Sequence, residues 1–102
     1  MLFKRRKTSN FSKNNKLAKK IEFEFFAPQA ERVQLAGTFN HWNPSQTELK
    51  KDRSGKWRAS LLLAPGRYEY RYWVDESWQN DQHPVECVPN VFGTWNCVVE
   101  VH

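Results

Sequence analysis

Residues 66–78 read GRYEYRYWVDESW. In an extended strand successive side chains point to opposite faces. Tyr68, Tyr70, Tyr72 and Val74 then share one face, and Glu69, Arg71 and Trp73 the other. Three alternating tyrosines give the first face a large apolar area. Their hydroxyls need water or a partner, which suits the rim of a core better than its centre. The second face offers a cation and an indole, and a turn at Asp75-Glu76-Ser77 delivers another indole, Trp78. One face is built to pack, the other to hold a flat, partly apolar ligand rich in hydroxyls. The alternative is that both faces are core and Arg71 snorkels to water.

The rest of the chain follows the same period. Ile21, Phe23 and Phe25 alternate with Glu22 and Glu24 as a half-buried strand that ends at Pro28. Val33 and Leu35 alternate with Arg32 and Gln34 in a second strand closed by Gly37. The segment TFNHWNP, residues 38–44, is too rich in turn formers to continue it and reads as a loop displaying Trp42. A short strand near Thr47–Lys51 leads to a hairpin turn at Asp52-Arg53-Ser54-Gly55, with glycine where positive φ is expected. Trp57, Ala59, Leu61 and Leu63 form the apolar face of the next strand, and Pro65-Gly66 makes the turn into the tyrosine strand. Trp78–Asp81 reads as a short strand, residues 83–90 as an irregular segment bracketed by His83-Pro84 and Pro89-Asn90, and Thr94–Val101 as a closing strand. Seven or eight short strands, turns every eight to twelve residues and no helical period predict an all-β, immunoglobulin-like antiparallel β-sandwich.

At 102 residues the chain makes one small domain. Its net charge of +5 is unevenly spread. Residues 1–20 hold eight basic residues and no acid, whereas 21–102 carry eight basic and eleven acidic residues. The segment 1–19 is polar and basic, buries too little apolar surface to order itself, and is expected to be a flexible tail. It could contact a protein partner. The folded part, 20–102, is mildly acidic, which argues against a nucleic-acid groove. No run of apolar residues is long enough to span a membrane. Met-Leu-Phe followed by basic residues lacks the apolar stretch of a signal peptide, so a cytoplasmic chain is expected. Cys87 and Cys97 then read as free, partly buried thiols. His83, Cys87 and Cys97 do not form a recognised zinc spacing, and neither a metal nor a cofactor is expected.

Three separated pieces carry a resemblance: Gly37-Thr38-Phe39-Asn40-His41-Trp42, then Tyr68 to Trp78, then Phe92-Gly93-Thr94-Trp95-Asn96. In this order and spacing they resemble the family-48 carbohydrate-binding modules. Those include the glycogen-binding domain of the AMP-activated protein kinase β subunit and the early-set domains of isoamylases and branching enzymes. The resemblance covers about residues 20–102. It implies an early-set, immunoglobulin-like sandwich that binds α-1,4-linked glucan on one face. The family's two sugar-stacking tryptophans fall on Trp42 and Trp78, its basic contact on Arg71, its ligand-piercing aliphatic residue on Phe92, and its polar contacts on Thr94 and Asn96. Phe92 is larger than the leucine usual there. Glu76 stands where glycine often follows the aspartate, so the turn must tolerate a side chain. Trp95 and Cys97 alternate with Asn96 and are expected to pack inward.

The chemistry agrees with the resemblance. A glucose ring has an apolar face of C–H groups, which an exposed indole covers at little entropic cost. Its hydroxyls need partners once removed from water, at about 1–3 kcal/mol for each left unmatched. Arg71 and Asn96 supply donors, Asn96 and Thr94 acceptors. Two indoles on separate loops suit a bent α-1,4 chain, whereas a flat β-1,4 chain prefers coplanar platforms. Micromolar or weaker affinity for short oligosaccharides is expected, raised by a multivalent polymer. Catalysis is not expected: a glycosidase needs two carboxyls across a cleft, and Asp75, Glu76 and Asp81 lie in or beside turns. The rival reading is a structural early-set module without sugar binding, in which Trp42 and Trp78 anchor a protein interface.

Overall fold

The alternating runs become strands in the computed structural model, which describes residues 17–102. The expected tail at 1–19 lies, through residue 16, outside the described residues. The strands are β1 Lys19–Phe26, β2 Val33–Gly37, β3 Lys50–Lys51, β4 Lys56–Leu63, β5 Gly66–Val74, β6 Ser77–Gln79, β7 Cys87–Pro89 and β8 Trp95–Val101. They form two antiparallel sheets, one ordered β1-β4-β3 and the other β2-β5-β8-β7, with β6 paired to β5 beyond the end of β8. The fold is the expected β-sandwich. No helix among the described residues is long and apolar enough to cross a membrane.

Pleat alternation sends Phe23 and Phe25 of β1 inward against Tyr70 and Tyr72 of β5. Phe23 meets Tyr70 edge-on at 5.2 Å, and Phe25 lies 4.9 Å from Tyr72. Trp57 and Leu63 of β4, Val33 and Leu35 of β2, and Cys97 and Val101 of β8 complete the core. The outer face of the smaller sheet is solvated, and Glu24 pairs there with Lys56 and Arg58. Exposed pairs of this kind add little stability.

The structure corrects several expectations. Only Tyr68 stays half-buried at the rim; the other two tyrosines go to the centre, Tyr70 at 3% and Tyr72 at 1% exposed. Tyr70 tolerates this because its hydroxyl donates to Asp81 Oδ2 at 2.6 Å, and burial together with that carboxylate pushes the phenol well above its usual range. At the outer end of the strand Tyr68 donates to Ala64 O. Trp95 does not pack inward but is 53% exposed. It sits on the last rung of the β7–β8 ladder, opposite Pro89, where no strand covers its face. The segment 83–90 is not wholly irregular, because β7 lies in it and pairs with β8. The short strand near Thr47–Lys51 shrinks to β3 and a single bridge from Glu48 to Gln34. Cys97 is buried as expected, but Cys87, directly opposite it, is exposed; both thiols are free.

The β5–β6 hairpin turns on Asp75 and Glu76 at φ 46° and 66°. Positive φ at both central residues is the conformation that matches strand twist in a two-residue hairpin. Asp75 is held in place by accepting from the backbone N–H groups of Glu31 and Arg32. Glu76 has no such compensation, and left-handed backbone costs a residue with a side chain about 1–2 kcal/mol. Glycine's entropic penalty is smaller, about 0.5–1 kcal/mol. The substitution Glu76→Gly is therefore expected to raise Tm by a few degrees in a thermal melt; an unchanged or lower Tm would contradict the strain argument.

Candidate functional site

The outward face of the larger sheet carries the site. Arg71 and Glu69 project from it because β5 sends Tyr70 and Tyr72 the other way. Ala36 is the partner of Arg71 on β2 and is fully buried. The β5–β6 hairpin brings Trp78 opposite Trp73 on the same face.

Trp42 arrives from the loop after β2, which is tightly specified. A Cβ on Gly37 would lie 2.5 Å from Glu69 O and 2.7 Å from the Phe39 ring, so no side chain fits there. The chain then makes a 3-10 turn over Thr38–Asn40, and both His41 and Trp42 adopt left-handed φ, 57° and 59°. Two consecutive left-handed residues with side chains are costly, and the surroundings must impose them. Asn40 does so from a buried position. Its Oδ1 accepts from Gly37 N, and its Nδ2 donates to Leu35 O and Thr47 Oγ1, each at 3.0 Å. Trp42 N donates back to Gly37 O at 2.9 Å.

Asn90 arranges the loop between β7 and β8. Its Oδ1 accepts from Phe92 N, Thr94 N and Thr94 Oγ1, and its Nδ2 donates to Asn96 Oδ1 at 3.0 Å. The loop turns at Gly93, φ 83°, and presents Phe92 almost fully exposed at its tip.

All six residues singled out in the sequence, Trp42, Arg71, Trp78, Phe92, Thr94 and Asn96, line one open groove of about 1090 Å³. The Trp42 and Trp78 rings are 6.4 Å apart and nearly perpendicular, at 76°. Neither is sealed in the core, and Trp78 is 40% exposed. The Arg71 guanidinium lies 5.9 Å from the Trp78 ring, donates from Nε to Asn80 Oδ1 at 2.6 Å and from Nη1 to Thr94 Oγ1 at 3.3 Å. Asn96 is nearly buried in the floor, donating to Glu69 Oε1 and accepting from Asn90. The polar groups thus form one connected line, Asn80–Arg71–Thr94–Asn90–Asn96–Glu69, along which the donors and acceptors are held before any ligand arrives.

Sequence reasoning passed over Asn40, Asn80 and Asn90. Asparagine in TFN and PN reads as a turn residue, and only the folded loops reveal where the amides point. Glu69 was within reach, because it shares a strand face with Arg71. Among the described residues no cluster of three His, Cys, Asp or Glu side chains could hold a metal ion.

The family described as the glycogen recognition site of AMP-activated protein kinase matches residues 10–102. Over 52 residues the chain is 40% identical to the chloroplastic protein FLOURY ENDOSPERM 6 of Oryza sativa subsp. japonica, covering 51% of this chain and 10% of that protein. It is 38% identical over 58 residues to the chloroplastic protein PTST of Arabidopsis thaliana, 54% of this chain and 21% of that one. It is also 37% identical over 62 residues to a 1,4-alpha-glucan branching enzyme of Synechococcus sp., 59% of this chain and 8% of the enzyme. The matched span is at most 21% of the length of these relatives.

The Asn40 network yields a stability prediction. Asn40→Ala leaves Gly37 N, Leu35 O and Thr47 Oγ1 without a buried partner, at about 2–3 kcal/mol in all. For a domain of this size that lowers Tm by roughly 10 °C or more in a calorimetric scan. A shift of only a degree or two would mean that other contacts hold the loop.

Proposed function

A chain matched over residues 10–102 by the glycogen-recognition family belongs to it, and on that premise we propose that the groove binds α-1,4-linked glucan without catalysing its cleavage. The observation that carries this reading is the pair of perpendicular indoles, Trp42 and Trp78, 6.4 Å apart on the wall of one open groove. Perpendicular platforms fit the apolar faces of sugars whose planes rotate from one residue to the next, as α-1,4 linkage makes them. Coplanar β-1,4 chains would meet one ring flat and the other on edge.

Arg71 is already fixed by Asn80 and Thr94, so its remaining N–H groups meet sugar hydroxyls with little further ordering. Asn96 keeps a second amide N–H and a second lone pair along the floor, whereas Thr94 Oγ1, already bonded to Arg71 and Asn90, would meet a sugar hydroxyl by exchanging one of those bonds. Phe92, exposed at the loop tip, enters the opening of a coiled chain. An open groove leaves water at the sugar edge and limits affinity for short chains, while glycogen or starch engages many modules at once. Among the described lining residues Glu69 alone carries a carboxylate, and it is committed to Asn96. Hydrolysis by a carboxyl pair has no second partner there. The module would serve to localise or regulate whatever it accompanies.

A protein-docking reading draws on one observation: Val91 and Phe92 are 92% and 87% exposed beside the groove. The two readings part on the indoles. In a native gel containing glycogen, Trp42→Ala and Trp78→Ala are each expected to abolish retardation while Tm stays within a few degrees, because both rings lie outside the core. Retardation should be absent in a gel containing a soluble cellulose derivative. Variants that still bind glycogen normally would overturn the proposal.

A further inference from the structure

The Trp73–Trp78 pair separates two grooves. Their rings are 4.6 Å apart, tilted by 57°. Trp78 belongs to the groove described above, whereas Trp73 lines a second one of about 530 Å³. Strand register explains the arrangement. Gln34 of β2, Trp73 of β5 and Trp78 of β6 are successive cross-strand partners, so their side chains form one row across the outer face of the sheet.

The second groove holds groups that no interaction within the fold uses up. Gln34 is only 5% exposed, and its Nε2 donates to Glu48 Oε2 at 2.9 Å. Its carbonyl oxygen accepts no hydrogen bond among the described residues. No fully buried side-chain polar atom there lacks a partner, so that oxygen reaches the groove, which Gln34 lines. Such a polar side chain, nearly buried yet offering a free acceptor to a cavity, is a feature that a ligand can satisfy. Glu31 and Glu76 add carboxylates that form no ion pair within 4 Å among the described residues. Arg32 is bound to Glu48 through Nε and Nη2, leaving Nη1 as a donor at the rim.

These groups select for chemistry. With Arg32 offset by Glu48, the acidic residues Glu31, Asp75 and Glu76 disfavour an anion. An indole wall disfavours a fully hydrated cation. What remains suited is a neutral polyol with an apolar face: its C–H groups lie against Trp73, and vicinal hydroxyls donate to a carboxylate and to the Gln34 carbonyl. We propose that the second groove is an additional glucosyl subsite, with Trp73 as its platform, which takes residues of the same chain after it passes Trp78. This rests on the glucan reading of the first groove. It makes the face selective for long chains, because only a chain that fills the first groove continues across the indole ridge.

The test is calorimetric titration with maltotetraose and with a linear ten-residue maltooligosaccharide. The wild-type protein is expected to bind the longer ligand several-fold more tightly per molecule. The double variant Glu31→Ala/Glu76→Ala should bind maltotetraose as the wild type does but lose about threefold to tenfold in affinity for the longer chain, the worth of one hydrogen bond to a carboxylate at an open rim. Both side chains are exposed, so folding is preserved. As a second readout, the Trp73 indole N–H resonance, whose ring lies 4.6 Å from that of Trp78, should move markedly further with the longer ligand than with maltotetraose. Equal loss for both ligands, no loss for either, or no gain with chain length in the wild type overturns the subsite alone. Failure of the wild type to bind either ligand removes the glucan reading as well.

Discussion

The contacts of Tyr70 and Tyr72 with Phe23 and Phe25 fix everything on the opposite face of β5. Because side chains alternate along a strand, burying these tyrosines at the centre of the sandwich forces Glu69, Arg71 and Trp73 outward. A slip of one residue would send the guanidinium into the core and the phenols into water, so the register is strongly determined. Each of these aromatic side chains contributes about 1.5–3 kcal/mol by burial. Core and candidate binding face are therefore two consequences of one alternation, and the rigidity of the first holds the second in place.

On this platform the site is completed by loops whose conformations are individually unfavourable. His41 and Trp42 sit in left-handed backbone, held by the Asn40 amide and by the close approach of Gly37 to β5. The loop carrying Phe92 is tied together by a single asparagine, Asn90. In both cases a buried or half-buried amide replaces the backbone pairing that the loop lacks. Side-chain positions are thus set before ligand binding, which lowers the ordering cost that a shallow site must otherwise bear.

The alternating runs at 21–25, 57–63 and 68–74 made the sandwich legible from sequence, because a period of two is unambiguous when its apolar members are aromatic or branched. The short elements were harder. β7 is three residues long and ends in Pro89, and proline reads as a strand breaker although an edge strand accommodates it. The depth of Tyr70 depended on Asp81, eleven residues away, whose position no alternation reveals. Trp95 obeys the pleat but lies where its face is uncovered. The six site residues came from a resemblance and were found lining a common groove. Their supports, Asn40, Asn80 and Asn90, were hidden because turn-forming asparagines look alike until the loops are folded.

The central claim is that the outer face of the larger sheet, and no other surface, meets a curved α-glucan. The five indole N–H resonances report on it directly, because the tryptophans are distributed over the molecule. Trp57 is buried and donates to Ala27 O, Trp95 lies on the other face of the larger sheet, and Trp42 and Trp78 line the groove. On titration with maltoheptaose the signals of Trp42 and Trp78 should shift in a saturable manner while those of Trp57 and Trp95 remain, and cellohexaose should move none of the five. Saturable movement of Trp95 with Trp42 and Trp78 unaffected, or equal shifts with both sugars, would contradict the account.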